Sequence, residues 1–436
     1  MRRSWIAAIA IGLLLAGCAP ADKRTRLDVQ RFWGECGAVY GHSADVAKAE
    51  GECGIITALI NRFSKENPDL DVRVNIVAWP GYPQLTAQIA AGDPPDLVTM
   101  HQGVISDYSS RDLLEPMEPI LAKAGIDPAS FTAAARRGVT KSGRIYGMPW
   151  DTIGGLYHIN TALFEQAGLM KGGQPVMPRS PAELFAQAKQ FKDATGKPYF
   201  IQSQVNDPAT HVRNLYTYLL AQDAVIFPDA KHIRLVTPEA KKIVEMYRAI
   251  NQRGLSTLNQ DTPAAIGSFL NGEGGIYPTG TWQIGAFQVE ADTPGRPLYH
   301  HYAVVPYPTL WGHAAAFVDG HSWVVPTRQR PAKTRDAIGR FLAFMAAHNF
   351  DWSRTGHLPA FQAVVDSAAF KALPHRFEIA PLATVGSPLP GNVRRQGAIE
   401  GILGEELAAA VSGQKPVDQA LADAQRRANE LLSQID

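Results

Sequence analysis

A chain of 436 residues with 42 Lys and Arg against 41 Asp and Glu carries a formal charge of +1, which leaves no electrostatic case for a nucleic-acid partner. Apolar residues make up 45% of it. The length allows two sizeable cores at roughly 100 to 200 residues per domain, and after residue 18 no apolar run reaches membrane-spanning length.

Arg2 and Arg3 precede an almost unbroken apolar run from Trp5 to Leu15, and Ala16 and Gly17 lead into Cys18. This is the pattern of a secretory signal, too short to persist as a membrane span. Leu15-Ala16-Gly17-Cys18 resembles the bacterial lipobox, which implies removal of residues 1–17 and acylation of Cys18. Several acyl chains on one residue anchor a protein stably, so the mature chain is expected on a membrane surface, in the periplasm or on the outer face of the cell membrane. Without Arg2 and Arg3 the balance is 40 basic to 41 acidic residues. Cys36 and Cys53 then remain in an oxidising compartment, 17 apart in a Gly-rich stretch, and a disulfide is the default. A zinc pair or a nucleophilic thiol is the alternative, supported neither by a second CxxC nor by a metal-spaced His.

Leu27 and Val29 alternate ahead of Phe32 and Trp33 as a first strand, and Ile55, Ile56, Leu59, Ile60 and Phe63 recur at helical spacing up to Asn67-Pro68. Leu70, Val72, Val74 and Ile76 alternate again. A helix from Tyr82 to Ala91 stops at Gly92, and Asp96 to Met100 gives a third strand. This alternation of strand and helix predicts an α/β domain with a largely parallel sheet. Ser180-Pro181-Ala182-Glu183 combines an N-cap Ser, Pro at the first helical position and Glu three residues after the cap; Gly196 closes that helix. Thr237-Pro238 opens a helix that runs to Gly254, and further helices are expected from Lys333 to about Ala347 and from about Glu405. No repeat and no Ser/Gly linker is evident, as expected of two lobes that exchange chain segments.

Five segments in order resemble the family 1 extracellular solute-binding proteins, the maltose-binding-protein-like receptors of ABC importers. They are AGDPPDLVTM from Ala91 to Met100 with Leu113 to Pro116; Gly147 to Trp150 with Leu156 to Asn160 and Leu163 to Leu169; the helix SPAELFAQAKQF from Ser180 to Phe191; Phe269 to Gly274 with Gly280-Thr281-Trp282; and Tyr302 to Pro308 with Gly320 to Pro326. The resemblance implies a type II periplasmic-binding-protein fold, two α/β lobes around a ligand cleft joined by hinge crossovers. It places the N-terminal lobe at residues 18–150 and 312–347 and the C-terminal lobe at 151–311 and 348–436, with crossings near Tyr146 to Tyr157, Val304 to Ala314 and Ala346 to Trp352. Closure on ligand would be a hinge motion. The Cys36 to Cys53 insertion departs from the family pattern, where a helix follows the first strand almost at once.

A sugar offers hydroxyls on its edge and C–H groups on its faces, so its site needs flat apolar platforms and polar groups at the rim. Trp282, after Gly280-Thr281, matches a position where the family stacks its sugar; a core tryptophan is the alternative. Asp151, beside Trp150 at a lobe crossing, is the preferred carboxylate, since carboxylates accept hydroxyl hydrogen bonds with charge assistance; a helix or turn cap is the alternative. Trp33, Trp79 and Tyr82 lie just beyond predicted strands, where packing competes with binding. His101 and Gln102 align with a ligand-contacting loop of the family. Asp207, His211 and His321 are weaker candidates, and Arg394 or Arg395 would matter for an anionic solute.

No HExxH, GxSxG, P-loop or GxGxxG motif occurs in a fitting context, and His300-His301 on a strand-like run would point to opposite faces. A glycosidase pair of carboxylates is the remote enzymatic alternative. The sequence therefore predicts a monomeric, lipid-anchored binding receptor, without cofactor or metal, that delivers a small carbohydrate to the permease subunits of an ABC importer. A receptor for a phosphorylated polyol or other anionic solute is the second reading.

Overall fold

The computed structural model describes residues 23–78 and 81–434. Cys18, the signal segment and Trp79 lie outside them. Among the described residues no helix is long and apolar enough to cross a membrane.

The strand Thr25–Arg31 lies between Leu70–Ile76 and Leu97–His101 and runs parallel to both. Its alternation sends Leu27 and Val29 into the core. The connecting helix Gly51–Glu66 buries Ile55, Ile56, Leu59, Ile60 and Phe63, the residues whose helical spacing predicted it. Two later pieces finish this sheet: His321–Val324 runs antiparallel to Leu97–His101, and Met148–Pro149 pairs with its other side. The helix Ala332–Ala347 packs on the same core, where the rings of Phe63 and Phe341 meet edge to face at 5.1 Å.

A second sheet is organised around the long strand Asp151–Asn160, to which Ile276–Gly280, Tyr302–Pro306, Ala316–Asp319 and Leu358–Pro359 all run antiparallel. Its glycines allow close approach, since a Cβ on Gly155 would lie 2.7 Å from the Tyr307 ring. The helices Pro181–Thr195, Pro208–Leu220 and Pro238–Gln252 and the terminal pair Gln396–Ser412 and Val417–Ser433 build the second core beside it. Ser180 and Thr237 cap their helices as expected, accepting the N–H groups of Glu183 and Ala240, each at 3.2 Å.

Three crossings join the lobes. The first runs from Pro149 to Asp151. The second falls at Gly320, not between Val304 and Ala314, because Asp319 and Val318 still pair with Ile153 and Gly154 of the second sheet while His321 already pairs with His101 of the first. The third follows helix Asn349–Ser353, whose Trp352 belongs to the first core, and precedes Leu358, which pairs with Thr152.

The insertion after the first strand is closed by a disulfide between Cys36 and Cys53, with Cα atoms 6.1 Å apart. Asn61 donates to the carbonyls of Tyr40, Gly41 and Ser43 inside it. Arg354, in the third crossing, donates to the carbonyls of Val46, Ala47 and Ala49. The insertion is thus fastened to the hinge.

Candidate functional site

Between the lobes lies a cavity of about 920 Å³, within the range of small-molecule sites. Its walls are the ends of strands and the starts of helices. The first lobe contributes His101 to Val104 after the strand Leu97–His101, with Tyr82, Thr86 and Tyr108 behind them. The second contributes Asp319 at the end of its strand, Arg213 and Tyr216 from helix Pro208–Leu220, and the stretch from Pro388 to Glu400.

Two polar pairs fix the floor. The Asp319 carboxylate accepts the Gly103 N–H at 3.0 Å and faces His101 Nδ1 at 3.1 Å, which links the two lobes. Burial opposes ionisation of Asp319, but the hydrogen bond and charge of His101, the Gly320 N–H and His321 together outweigh it and hold the carboxyl below its usual range. Burial lowers His101 in turn. The His101 N–H donates to the Tyr82 hydroxyl at 2.9 Å, fixing that ring at the rim. Burial raises Glu400, whose carboxyl shares the cavity with Arg213. In all, three carboxylates (Asp107, Asp319 and Glu400) meet five cations (Lys141, Arg111, Arg213, Arg394 and Arg395).

Of the residues singled out in the sequence, Tyr82, His101, Gln102 and Arg394 line this cavity, as does Arg395. Trp282 does not. It is half-buried in the turn Thr281–Gln283, its ring pressed on Gly280, and it meets the cavity through Arg213, whose guanidinium carbon stands 5.2 Å from the ring centroid. Thr281 is fully buried beneath the third crossing, where a Cβ on Gly356 would lie 2.3 Å from its carbonyl oxygen. Trp150 is a core residue with no exposed surface, its ring 5.6 Å from that of Trp352. Trp33, in the left-handed region at φ 76°, packs against His321 and Trp352 behind the floor. Asp207 caps helix Pro208–Leu220, accepting from Thr210 and Thr262, and His211 is buried in that same helix.

Asp151 requires the largest correction. It has no exposed surface and both its oxygens are occupied: Oδ1 accepts the His321 N–H at 2.8 Å and faces His321 Nδ1 at 2.9 Å, and Oδ2 accepts the Trp352 indole N–H at 2.7 Å. Asp151 opens the first crossing, His321 follows the second and Trp352 precedes the third, so one carboxylate ties all three. Burial opposes its charge, yet His321 and His357 outweigh that and hold it at about 2; the same pairing outweighs burial at His321 and raises it. The ligand atoms of Asp151, His321 and His357 lie within 4.8 Å of one another, but a metal there would have to displace N–H donors already in place. The cluster ties the three crossings to one another.

Among the cavity residues missed in the sequence are Asp319, Arg213, Arg111, Lys141, Glu400 and Asp107. Asp319 directly precedes Gly320, the start of the segment recognised there, and an acid at a crossing glycine was the available signal. Arg213 and Glu400 sit on helices whose amphipathic pattern does not reveal which polar residue faces the cleft.

The family model of bacterial extracellular solute-binding proteins matches residues 54–348. The sn-glycerol-3-phosphate-binding periplasmic proteins UgpB of Shigella dysenteriae serotype 1 and Escherichia coli K12 are each 24% identical over 98% of this chain and 97% of their own. Among solved structures, the sugar-binding protein MalE from Xanthomonas citri superposes with a TM-score of 0.76 at 20% identity, covering 94% of this chain and 98% of that one. Maltose-bound MalE3 of T. maritima gives 0.74 at 18% identity, covering 93% and 100%.

Proposed function

Because the chain belongs to the bacterial extracellular solute-binding protein family, we propose that it is the lipid-anchored receptor of an ABC importer and captures a small carbohydrate or carbohydrate-like polyol in its inter-lobe cavity. It is a binding protein, not an enzyme, and works outside the cytoplasm. The observation that carries the ligand class is the lining of the cavity, in which the rings of Tyr82, Tyr108, Tyr216 and Phe317 alternate with Asp107, Asp319, Glu400, Gln102 and Arg213. Rings cover the C–H faces of a polyol, and charged groups bind its hydroxyls with assistance. Asp319, Glu400, Arg213 and Gln102 are the proposed hydroxyl contacts, with Trp282 supporting Arg213 from behind. Cys18 is the proposed anchor, the permease subunits the proposed partners and the monomer the proposed state.

The excess of cations over carboxylates in the cavity favours a second reading, a receptor for an anionic polyol, and the UgpB relatives support it. Thermal unfolding in the presence of mono- and oligosaccharides and phosphorylated polyols tests both readings, because a ligand that binds only the native state raises its apparent stability by about 2.7 kcal/mol at a hundred times Kd. A rise with at least one solute is expected, and its loss in Arg213→Ala or Glu400→Gln. Absence of any rise across the series refutes the assignment.

A further inference from the structure

One cation of the cavity has no partner among the described residues. Lys141 ends the short strand Thr140–Lys141 ahead of a turn at Ser142 and Gly143, both with positive φ. The residue is 3% exposed, its side chain lines the cavity, and among the described residues its ammonium makes no hydrogen bond or ion pair. Burial dominates, drawing its pKa down to about 8, and Asp319 and Asp107 counter this only at a distance. Its stem is confined, since a Cβ on Gly391 would stand 3.2 Å from Cδ, and Ser106 holds the Gly391 carbonyl at 2.7 Å. A buried charge without an acceptor is costly, so an acceptor that arrives with a ligand recovers that cost.

A second feature faces the same space. The 17-residue helix Gln396–Ser412 has no side-chain cap, and Gln396, Gly397 and Ala398 of its first turn line the cavity. The first N–H groups of a helix lack intrahelical partners and its dipole favours negative charge there. Gly397 has open space before it. The carboxylates nearby are already engaged, Asp107 by the Arg395 N–H and Asp319 by His101 and Gly103, while burial raises Glu400 and Arg213 counters it. Arg394, Arg111 and Arg213 add positive charge on the surrounding walls.

We infer that Lys141 and the first turn of helix Gln396–Ser412 form an oxyanion subsite within the solute cleft, so that the preferred ligand is a polyol or sugar bearing a phosphoryl or carboxylate group. The inference rests on the receptor reading and narrows its ligand class. It carries a proton signature. At pH 8 the free ammonium is partly deprotonated, an arriving anion favours the charged form, and binding takes up a fraction of a proton.

Titration calorimetry of the full mature chain tests it, with inorganic phosphate, sn-glycerol 3-phosphate, glucose 6-phosphate and glucuronate set against glycerol, glucose and maltose. Measurements at pH 8 in two buffers of different ionisation heat read the proton uptake. An anionic solute should bind about tenfold or more tighter than its neutral counterpart, with phosphates and glucuronate separating the two oxyanion classes. Lys141→Gln should weaken it about tenfold and abolish the proton uptake. Gly397→Asp should weaken it as strongly with no loss of unfolding midpoint, because an acid in the first turn favours the helix; this variant decides the matter if Lys141→Gln proves unstable. Maltose binding with no preference for any anion, or anion binding unchanged in Gly397→Asp, overturns the subsite and leaves the receptor reading standing. Failure of every anionic and neutral solute overturns both.

Discussion

Asp151 shows how a residue can be placed at the right point of a fold and still have another task. Its position at a lobe crossing was legible, because Gly147-Met148-Pro149-Trp150 precedes it; which way the side chain turns is set by His321 and Trp352, 170 and 201 residues away in sequence. Removing one partner of a buried ion pair leaves an uncompensated charge and costs about 3–5 kcal/mol. Asp151→Asn is therefore expected to lower unfolding stability by that order, measured by urea denaturation near pH 6, with solute affinity per folded molecule nearly unchanged. The pair also sets a pH dependence. With its folded pKa held near 2 against an ordinary 3.8, Asp151 contributes stability that is present above pH 3.8 and lost as pH falls toward 2. His321 is raised, so its contribution is present below pH 6.5 and lost as pH climbs through the higher folded value. His357, pushed down to about 4 by burial, adds an acid loss between 6.5 and 4. Glu52, whose carboxylate stands 3.2 Å from His357 Nε2 and is raised to about 7 chiefly by burial, adds a screened loss above 4.5. In Asp151→Asn the limb below pH 4 should flatten. A wild-type slope there would contradict the tie.

At the scale of elements, periodicity and caps carried well. The helices Gly51–Glu66, Pro181–Thr195 and Pro238–Gln252 and the alternation of strand and helix along the start of the first lobe follow from apolar spacing and Ser or Thr caps. The C-terminal region did not carry as well: helix Gln396–Ser412 begins well before Glu405, because its N-cap is Arg395 at φ 60°, a residue without capping chemistry. The crossings were legible only approximately, since pairing partners decide on which side of Gly320 a strand belongs. The disulfide was legible from cysteine count and compartment, but its docking was not. Arg354 grips three carbonyls of the insertion, so the Cys36–Cys53 link stiffens an element that touches the hinge. Replacing both cysteines by Ser should cost about 3 kcal/mol in the chain-entropy model for a loop of this size. Thermal unfolding of the variant beside the oxidised protein measures it. The same variant should show faster amide exchange in residues 37–50, and equal exchange would mean that Arg354 alone holds the insertion.

At the scale of the whole molecule, Gly320 is a crowded point between the first and second crossings. A Cβ there would lie 2.3 Å from the Asp151 carbonyl oxygen and 2.7 Å from Gln102 Nε2, so Gly320→Ala must push the first and second crossings apart. Its expected effect is a changed open-to-closed balance, read as a shift in solution radius by small-angle scattering with and without solute; an unchanged radius in both states would argue against a hinge at this point. The interleaving of the lobes also governs how the chain can fold as it is made and exported. Among the described residues Met148–Pro149 has no sheet partner except His321–Val324, which lies roughly three quarters of the way along the chain. Until that segment emerges, the nascent first lobe carries a bare edge at Leu97–His101, and the second lobe lacks its terminal helices. Such unpaired edges are open to wrong partners, and non-local pairing is slow to form. A nascent chain of this topology is therefore expected to stay unfolded through most of its synthesis, the condition a translocation channel requires of its cargo. A fragment ending before residue 312 should accordingly remain unstructured or aggregate by circular dichroism and light scattering, and cooperative folding of that fragment alone would show that the lobes mature independently.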